Sequence, residues 1–199
     1  MDQRLVAWAR AVKSRQRRGG AFPGRRGLRR VLWLFTDAAR MADPLTVAAR
    51  LPRGLCGVVL RHDSAPGRAA LGRALARLCR ARGLALSVAG DWRLAAALGA
   101  GLHLRRGLRP SGTPRWLRAA TSSAHGVAEL RRARREGALA FLSPAFATAS
   151  HPGVAGLGPC RWGLMARHGG DVAALGGVDG RRVRRLPGCV GVGAIGALV

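Results

Sequence analysis

One stretch of the chain collects groups that can hold an anion. Thr148, Ser150 and His151 follow closely on the apolar run Leu139-Ala140-Phe141-Leu142. Hydroxyls and an imidazole all donate hydrogen bonds, which suits phosphate oxygens or a small polar ligand. Gly137 and Pro144 bound the run, so it reads as a short buried strand feeding a loop. Barrel enzymes keep their chemistry on loops at the C-terminal ends of parallel strands. The same residues also suit a strand followed by an ordinary polar turn. Only the rest of the chain separates the two readings.

From Val31 onward a unit of about 20–30 residues recurs: an apolar run, a Gly or polar break, then an Ala/Leu/Arg segment with helical spacing. The runs are Val31–Phe35, Gly57–Leu60, Leu84–Val88, Gly101–Leu104, Ala119–Ser122, Leu139–Leu142, Val172–Leu175 and Cys189–Val192. Arg68 to Arg82 reads as a helix, with Ala69, Leu71, Leu75, Leu78 and Cys79 on one face; His125 to Arg135 reads as another. Strands alternating with helices give parallel βαβ units, and eight of them give a (β/α)8 TIM barrel. The last strand ends near Ile195 and the sequence stops at Val199, so the eighth helix is truncated.

Residues 1–30 differ from the barrel span 31–199. Leu5, Val6, Trp8, Ala9 and Val12 line one face of an amphipathic helix over roughly residues 2–14. Residues 14–30, rich in Gly and Arg, read as a linker. This basic N-terminal helical extension is expected to cover the wall left open by the missing helix.

Net charge is +26, carried almost wholly by arginine, with Lys13 the only lysine. The charge is spread along the chain, Asn and Tyr are absent, and Ile occurs once, at Ile195. That combination reads as a compositional bias, and nucleic acid is not the expected partner, because no stripe of stacking aromatics accompanies the charge. No apolar run reaches the ~18 residues of a spanning helix. Arg4, Arg10, Lys13 and Arg15 interrupt any signal-peptide core, so a cytoplasmic protein with no membrane partner is expected. Cys56, Cys79, Cys160 and Cys189 lie far apart and read as buried thiols rather than zinc ligands or disulfides.

Six segments, in order, resemble the thiamine phosphate synthase and TenI (thiazole tautomerase) family over roughly Val31 to Ala197. Leu32-Trp33-Leu34-Phe35-Thr36-Asp37 is similar to L-x-L-I-T-D, and Gly57-Val58-Val59-Leu60-Arg61 to G-V-Q-L-R. Gly99-Ala100-Gly101-Leu102-His103-Leu104 resembles G-A-D-G-V-H-L with one residue missing. Ser123-Ala124-His125 with Glu129 matches S-x-H-x-x-x-E, and Leu142 to Ser150 resembles G-P-V-F-P-T-x-T. Ala174-Leu175-Gly176-Gly177-Val178 is similar to A-I-G-G-I.

Synthases of this family join a pyrimidine diphosphate to thiazole phosphate and release pyrophosphate, so the resemblance implies two anion sites. For thiazole phosphate it implies a cradle of backbone N–H groups at Gly176, Gly177, Val192 and Gly193, with Ser123, Thr148, Ser150 and His151 beside it. For the diphosphate it retains Arg61 but has Val59 for the family's Gln, Asp63 for a Lys, and His151 for the sixth-loop Lys. Ala89-Gly90-Asp91 stands where the family has Asn-Asp-Arg, and the second metal-binding Asp falls near Leu108. Mg2+ then lacks a secure ligand set. Asp91 is the candidate ligand after a one-residue gap, and Arg105 and Arg106 are candidate replacements for the metal's charge. His125 is implied for proton transfer on the thiazole ring, with Arg61 beside it as the second catalytic candidate; His103 reads as a packed barrel residue. The leading expectation is a diverged family member with its thiazole phosphate site intact. One alternative is a fully active synthase. Another is a non-enzymatic phosphate sensor or RNA-associated barrel.

Overall fold

The structure, a computed structural model, describes residues 1–18, 30–63, 65–148 and 153–198. Its strands are β1 (Leu32–Phe35), β2 (Cys56–Leu60), β3 (Ala85–Ala89), β4 (Gly101–Leu104), β5 (Ala119–Ala124), β6 (Leu139–Leu142), β7 (Val172–Leu175) and β8 (Val192–Ala194). All eight are parallel and close in sequence order, with β8 returning to β1 through Leu32↔Val192, Trp33↔Gly193 and Leu34↔Ala194. The helices are α1 (Gln3–Arg18), α2 (Pro44–Ala49), α3 (Arg68–Arg82), α4 (Trp92–Ala97), α5 (Val127–Arg135) and α6 (Gly158–Ala166). The expected (β/α)8 barrel is therefore present.

Two connections depart from the expected alternation. No helix follows β4: residues 105–118 contain Gly107, Pro110, Gly112 and Pro114, which break any helical run. After β7 there is only a short 3-10 turn, Arg182–Arg185, closed off by Pro187 and Gly188. The last strand also begins later than Cys189. Val190 already donates its N–H to Val172 O, but pairing with β1 starts only at Val192. In α3 the buried face is Gly72, Leu75, Ala76 and Cys79, rotated slightly from the apolar stripe read in the sequence. Cys160 is exposed on α6, unlike the buried Cys56 and Cys79.

The lumen is filled by Trp33, Phe35, Val59, Leu139, Phe141 and Ala173. Phe35 and Phe141 meet edge to face at 4.8 Å and 90°, a geometry worth about 0.5–1.5 kcal/mol beyond burial. Glycines make room for these rings. A Cβ on Gly57 would lie 2.6 Å from the Trp33 ring, and one on Gly193 2.6 Å from Phe35. Polar side chains share the lumen with these rings: Thr121 Oγ1 lies 3.0 Å from Ser87 Oγ and 2.8 Å from His103 Nδ1.

Helix α1 covers the outer wall at the β8–β1 seam. Leu5, Val6, Trp8, Ala9 and Val12 are buried in the same core as Leu32, Leu34 and Val192. Asp2 caps α1 through the N–H groups of Arg4 (2.9 Å) and Leu5 (3.2 Å). Its second carboxylate oxygen accepts the Gly180 N–H at 2.7 Å, and its own N–H donates to Ala197 O at 3.2 Å. At the other end Lys13 reaches Gly54 O, in the loop before β2. The helix thus runs antiparallel to the strands, as an eighth barrel helix would. It extends to Arg18, further than residues 2–14; the rest of the Gly/Arg-rich linker, 19–29, lies outside the described residues. Among the described residues no helix is long and apolar enough to cross a membrane.

Trp8→Ala is expected to cost about 3–5 kcal/mol in urea unfolding, as for other buried aromatic truncations. Deletion of residues 1–18 should abolish cooperative unfolding, because the β8–β1 wall is then bare. A truncated chain that melts like the full one would show that α1 is not part of the core.

Candidate functional site

The C-terminal rim of the barrel divides into two halves. On the β6–β8 side, Gly176 and Gly177 follow β7 with φ of +92° and +62°. A side chain cannot replace either hydrogen comfortably: a Cβ on Gly177 would lie 2.3 Å from Ala147 O, and one on Gly176 3.1 Å from Pro144 Cα. Without Cβ atoms this turn lets its backbone approach a ligand closely, and N–H groups exposed in such turns line anion-binding concavities. The β6 loop is tied to this turn. Ala145 N–H donates to Leu175 O at 2.9 Å and Phe146 N–H to Gly176 O at 3.1 Å. Asp2 of α1 holds the same loop from below through Gly180.

Arg182 was not singled out from the sequence. Its Nη1 donates to Gly177 O at 3.0 Å, and its guanidinium lies 5.7 Å from the Phe146 ring centroid. Only its position one turn past the Gly-Gly pair could have signalled it. Thr148 is half-buried on the β6 loop. Ser150 and His151 lie outside the described residues. Val192 and Gly193 lie within β8 rather than in a loop after it. Val192 donates its N–H to Val31 O at 2.8 Å inside the sheet. Gly193 lies within β8, where its missing side chain makes room for Phe35.

His125 stands between the halves, just ahead of α5 rather than as its first residue. Its backbone N–H donates to Glu129 Oε2 at 2.8 Å, which fixes the Glu129 of the motif as a cap. Its Nδ1 lies 3.1 Å from Ser143 O. Ser143 Oγ lies 3.2 Å from the same nitrogen, so Ser143 meets Nδ1 with both a carbonyl acceptor and a hydroxyl. The ring is exposed at the rim. Ser123 is a scaffold residue: its Oγ accepts the Arg106 N–H at 3.1 Å, while Ser122 Oγ accepts that of Gly107 at 3.0 Å. Those two bonds fix the β4–β5 loop, in which Arg106 adopts a left-handed φ of +54°.

The β2–β4 side is built from charge. Arg61 ends β2, its backbone N–H donating to Thr36 Oγ1 at 3.0 Å, and its guanidinium lies 5.9 Å from the Phe35 ring centroid. The Thr36 hydroxyl is also 2.9 Å from Nδ1 of the buried His62. Asp91 caps α4 by accepting the Leu94 N–H at 2.9 Å, and it pairs with Arg68 at 3.3 Å. Asp63 pairs with Arg105 at 2.5 Å and with Arg68 at 3.5 Å. Mg2+ needs carboxylate oxygens free to close around it. Here both carboxylates are engaged by guanidiniums, and a dication between them would face Arg68 and Arg105. Among the described residues no three His, Cys, Asp or Glu side chains converge as a metal site. The donor set does not fit Mg2+, and Asp91 is a helix cap and ion-pair partner.

His103 lies on the floor between the halves, fully packed. Burial, then the nearby charges of Arg61 and Arg105, push its pKa down to about 3. It is a neutral lumen residue, as read from the sequence.

The chain matches the thiamine monophosphate synthase family over residues 32–198. No curated protein matches it. Among solved structures it is similar to a thiamine phosphate pyrophosphorylase from Pyrococcus furiosus, with 21% identity, a TM-score of 0.66, and 83% of this chain and 85% of that one covered. A thiamine phosphate pyrophosphorylase from Bacteroides thetaiotaomicron aligns with 17% identity and a TM-score of 0.58, over 84% of this chain and 83% of that one. At these identities the two structures speak for the fold.

His103 makes the site acid-sensitive. Its pKa falls from an ordinary 6.5 to about 3 on folding. Above pH ~6.5 both states are neutral and nothing is lost; below it the unfolded chain takes the proton first. Stability should then fall by about 1.4 kcal/mol per pH unit from this residue alone. His103→Gln should flatten the pH dependence of the urea midpoint between pH 6 and 4, relative to the parent. Equal slopes would mean that His103 is not held neutral.

Proposed function

Because the chain belongs to the thiamine monophosphate synthase family, we propose that it is an enzyme of thiamine biosynthesis that binds thiazole phosphate and moves a proton on its ring. The observation that carries this reading is the Gly176-Gly177 turn, left-handed at both residues and clamped by the β6 loop. Backbone N–H groups there take the phosphate, and Arg182 adds a cation one turn away. Barrel proteins commonly hold phosphate on the loops after their seventh and eighth strands. The thiazole ring then extends towards His125, whose imidazole is the base for proton transfer. Ser143 holds the ring through Nδ1, and Glu129 holds the backbone beneath it.

A nucleic-acid-binding barrel is the weaker reading, since many arginines are already committed to backbone carbonyls. Arg80 donates to Leu98 O, Arg82 to Leu51 O and Arg109 to Leu117 O.

Calorimetry with thiazole phosphate and with the free thiazole alcohol tests the cradle. The phosphate form should bind and the alcohol should not; equal binding would sink the assignment. Gly177→Ala should abolish phosphate-dependent binding. His125→Gln should leave binding intact but slow proton exchange or tautomerisation of the ring by about 10²–10⁴-fold, the usual worth of a positioned base. Unchanged turnover in that variant would remove His125 from the chemistry.

A further inference from the structure

Between β7 and β8 the chain forms a 3-10 turn, Arg182–Arg185, in place of a full helix. A helix there would anchor the loop that carries Gly176 and Gly177 to the barrel wall. The anchor comes instead from the far end of the sequence. Asp2 Oδ2 accepts the Gly180 N–H at 2.7 Å, across 178 residues. The same carboxylate caps α1, with Oδ1 accepting the N–H groups of Arg4 at 2.9 Å and Leu5 at 3.2 Å. The Asp2 N–H donates to Ala197 O at 3.2 Å. Burial works against the charge on this carboxyl, but the N–H groups of Gly180, Leu5 and Arg4 outweigh it and hold the pKa below its ordinary 3.8. Asp2 therefore meets Gly180 as a carboxylate.

Gly180 is fitted to that contact. A Cβ there would lie 2.5 Å from both Arg4 Cβ and Leu5 N. Val178 and Val183, on either side of it, are buried in one core with Leu5, Val6 and Ala9. From Gly180 the constraint passes back to the turn. Asp179 Oδ1 accepts the N–H groups of Arg181 and Arg182, both at 2.8 Å. Arg182 Nη1 in turn donates to Gly177 O at 3.0 Å. The β6 loop closes the other side, where Phe146 N–H donates to Gly176 O at 3.1 Å. The turn is thus pinned between the β6 loop and α1. Asp2 and α1 lie ahead of residues 32–198, the span that matches the family, so the tether comes from outside that span.

We infer that Asp2 is a positioning residue: through Gly180 it sets the conformation of the Gly176–Gly180 turn, and docking of α1 is thereby coupled to anion binding at that turn. The inference rests on the phosphate-cradle reading for the identity of the ligand. Coupling is reciprocal: whatever α1 adds to the affinity for the ligand, the ligand returns to the docking of α1.

Asp2→Ser tests the tether. Serine still caps a helix, but its single, shorter oxygen cannot serve α1 and Gly180 together. Val12→Ala is the control, since it trims the buried face of α1 and leaves Asp2 and Gly180 in place. Amide exchange is followed over residues 2–8 and 176–183 in the full chain, with and without thiazole phosphate, and binding is read by calorimetry. Without ligand, Asp2→Ser should speed exchange over 176–183. It should weaken thiazole phosphate binding by about five- to tenfold, the low end of coupling between two sites. Ligand should slow exchange over 2–8 in the parent and not in Asp2→Ser. Val12→Ala should melt earlier yet bind as the parent does. Unchanged exchange over 176–183 in Asp2→Ser would overturn the proposal. So would an unchanged Kd in that variant, or an equal loss of binding in Val12→Ala, which would reduce the effect to general stability. If the parent binds no thiazole phosphate, the cradle reading fails and exchange alone decides the tether: faster exchange in Asp2→Ser supports it, and equal exchange removes it.

Discussion

Closing eight short parallel strands into a barrel requires every strand's outer face to be covered. β8 has three residues, and among the described residues the 3-10 turn Gly196–Leu198 follows it. Its outward Val192, with Leu32 and Leu34 of β1, would face water without α1. Burying an aliphatic side chain fully is worth about 1.5–3 kcal/mol, and α1 brings several such residues to this seam. The cover also reaches the chemistry. Asp2 ties the first turn of α1 to Gly180, in the loop that carries Gly176 and Gly177. The wall and the proposed phosphate cradle are joined by one carboxylate.

The arginine excess has a structural use that composition does not reveal. Guanidiniums bridge carbonyls that the short helices and irregular loops leave without donors: Arg30 to Gly54, Arg68 to Ala89, Arg132 to Arg106 and Arg182 to Gly177. A long side chain with five donors can cross between elements and satisfy such a group. Carboxylates are scarce and similarly committed. Asp2, Asp43 and Asp91 cap helices, and Asp63, Glu129 and Glu136 meet arginines. A chain with so few acids commits them to caps and ion pairs, Asp63 and Asp91 on the β2–β4 rim among them.

The two halves of the rim follow different rules. On the β7 side the groups proposed to meet the ligand are backbone, made available by residues without side chains. On the β2–β4 side guanidiniums are held by ion pairs to half-exposed carboxylates. His125 stands between them, held at its ring by Ser143 and at its backbone by Glu129, while the depressed pKa of His103 keeps the lumen neutral.

Periodicity and punctuation alone determined the barrel. Apolar runs separated by Gly, Pro and helical Ala/Leu/Arg segments are local signals, and α3 begins and ends where its pattern does. The family motifs, also local, located Arg61, His125 and Gly176-Gly177. What the sequence could not settle were properties that depend on distant neighbours. Whether Asp91 binds a cation depends on Arg68, 23 residues earlier. Whether Val192 offers its N–H to a ligand depends on β1, and whether Gly193 serves phosphate or packing depends on Phe35. Arg182 and Ser123 acquired roles only when the loops closed on them. Strand and helix patterns are written within a few residues of one chain; the protonation, pairing and availability of a site group are fixed by what the closed barrel brings against it.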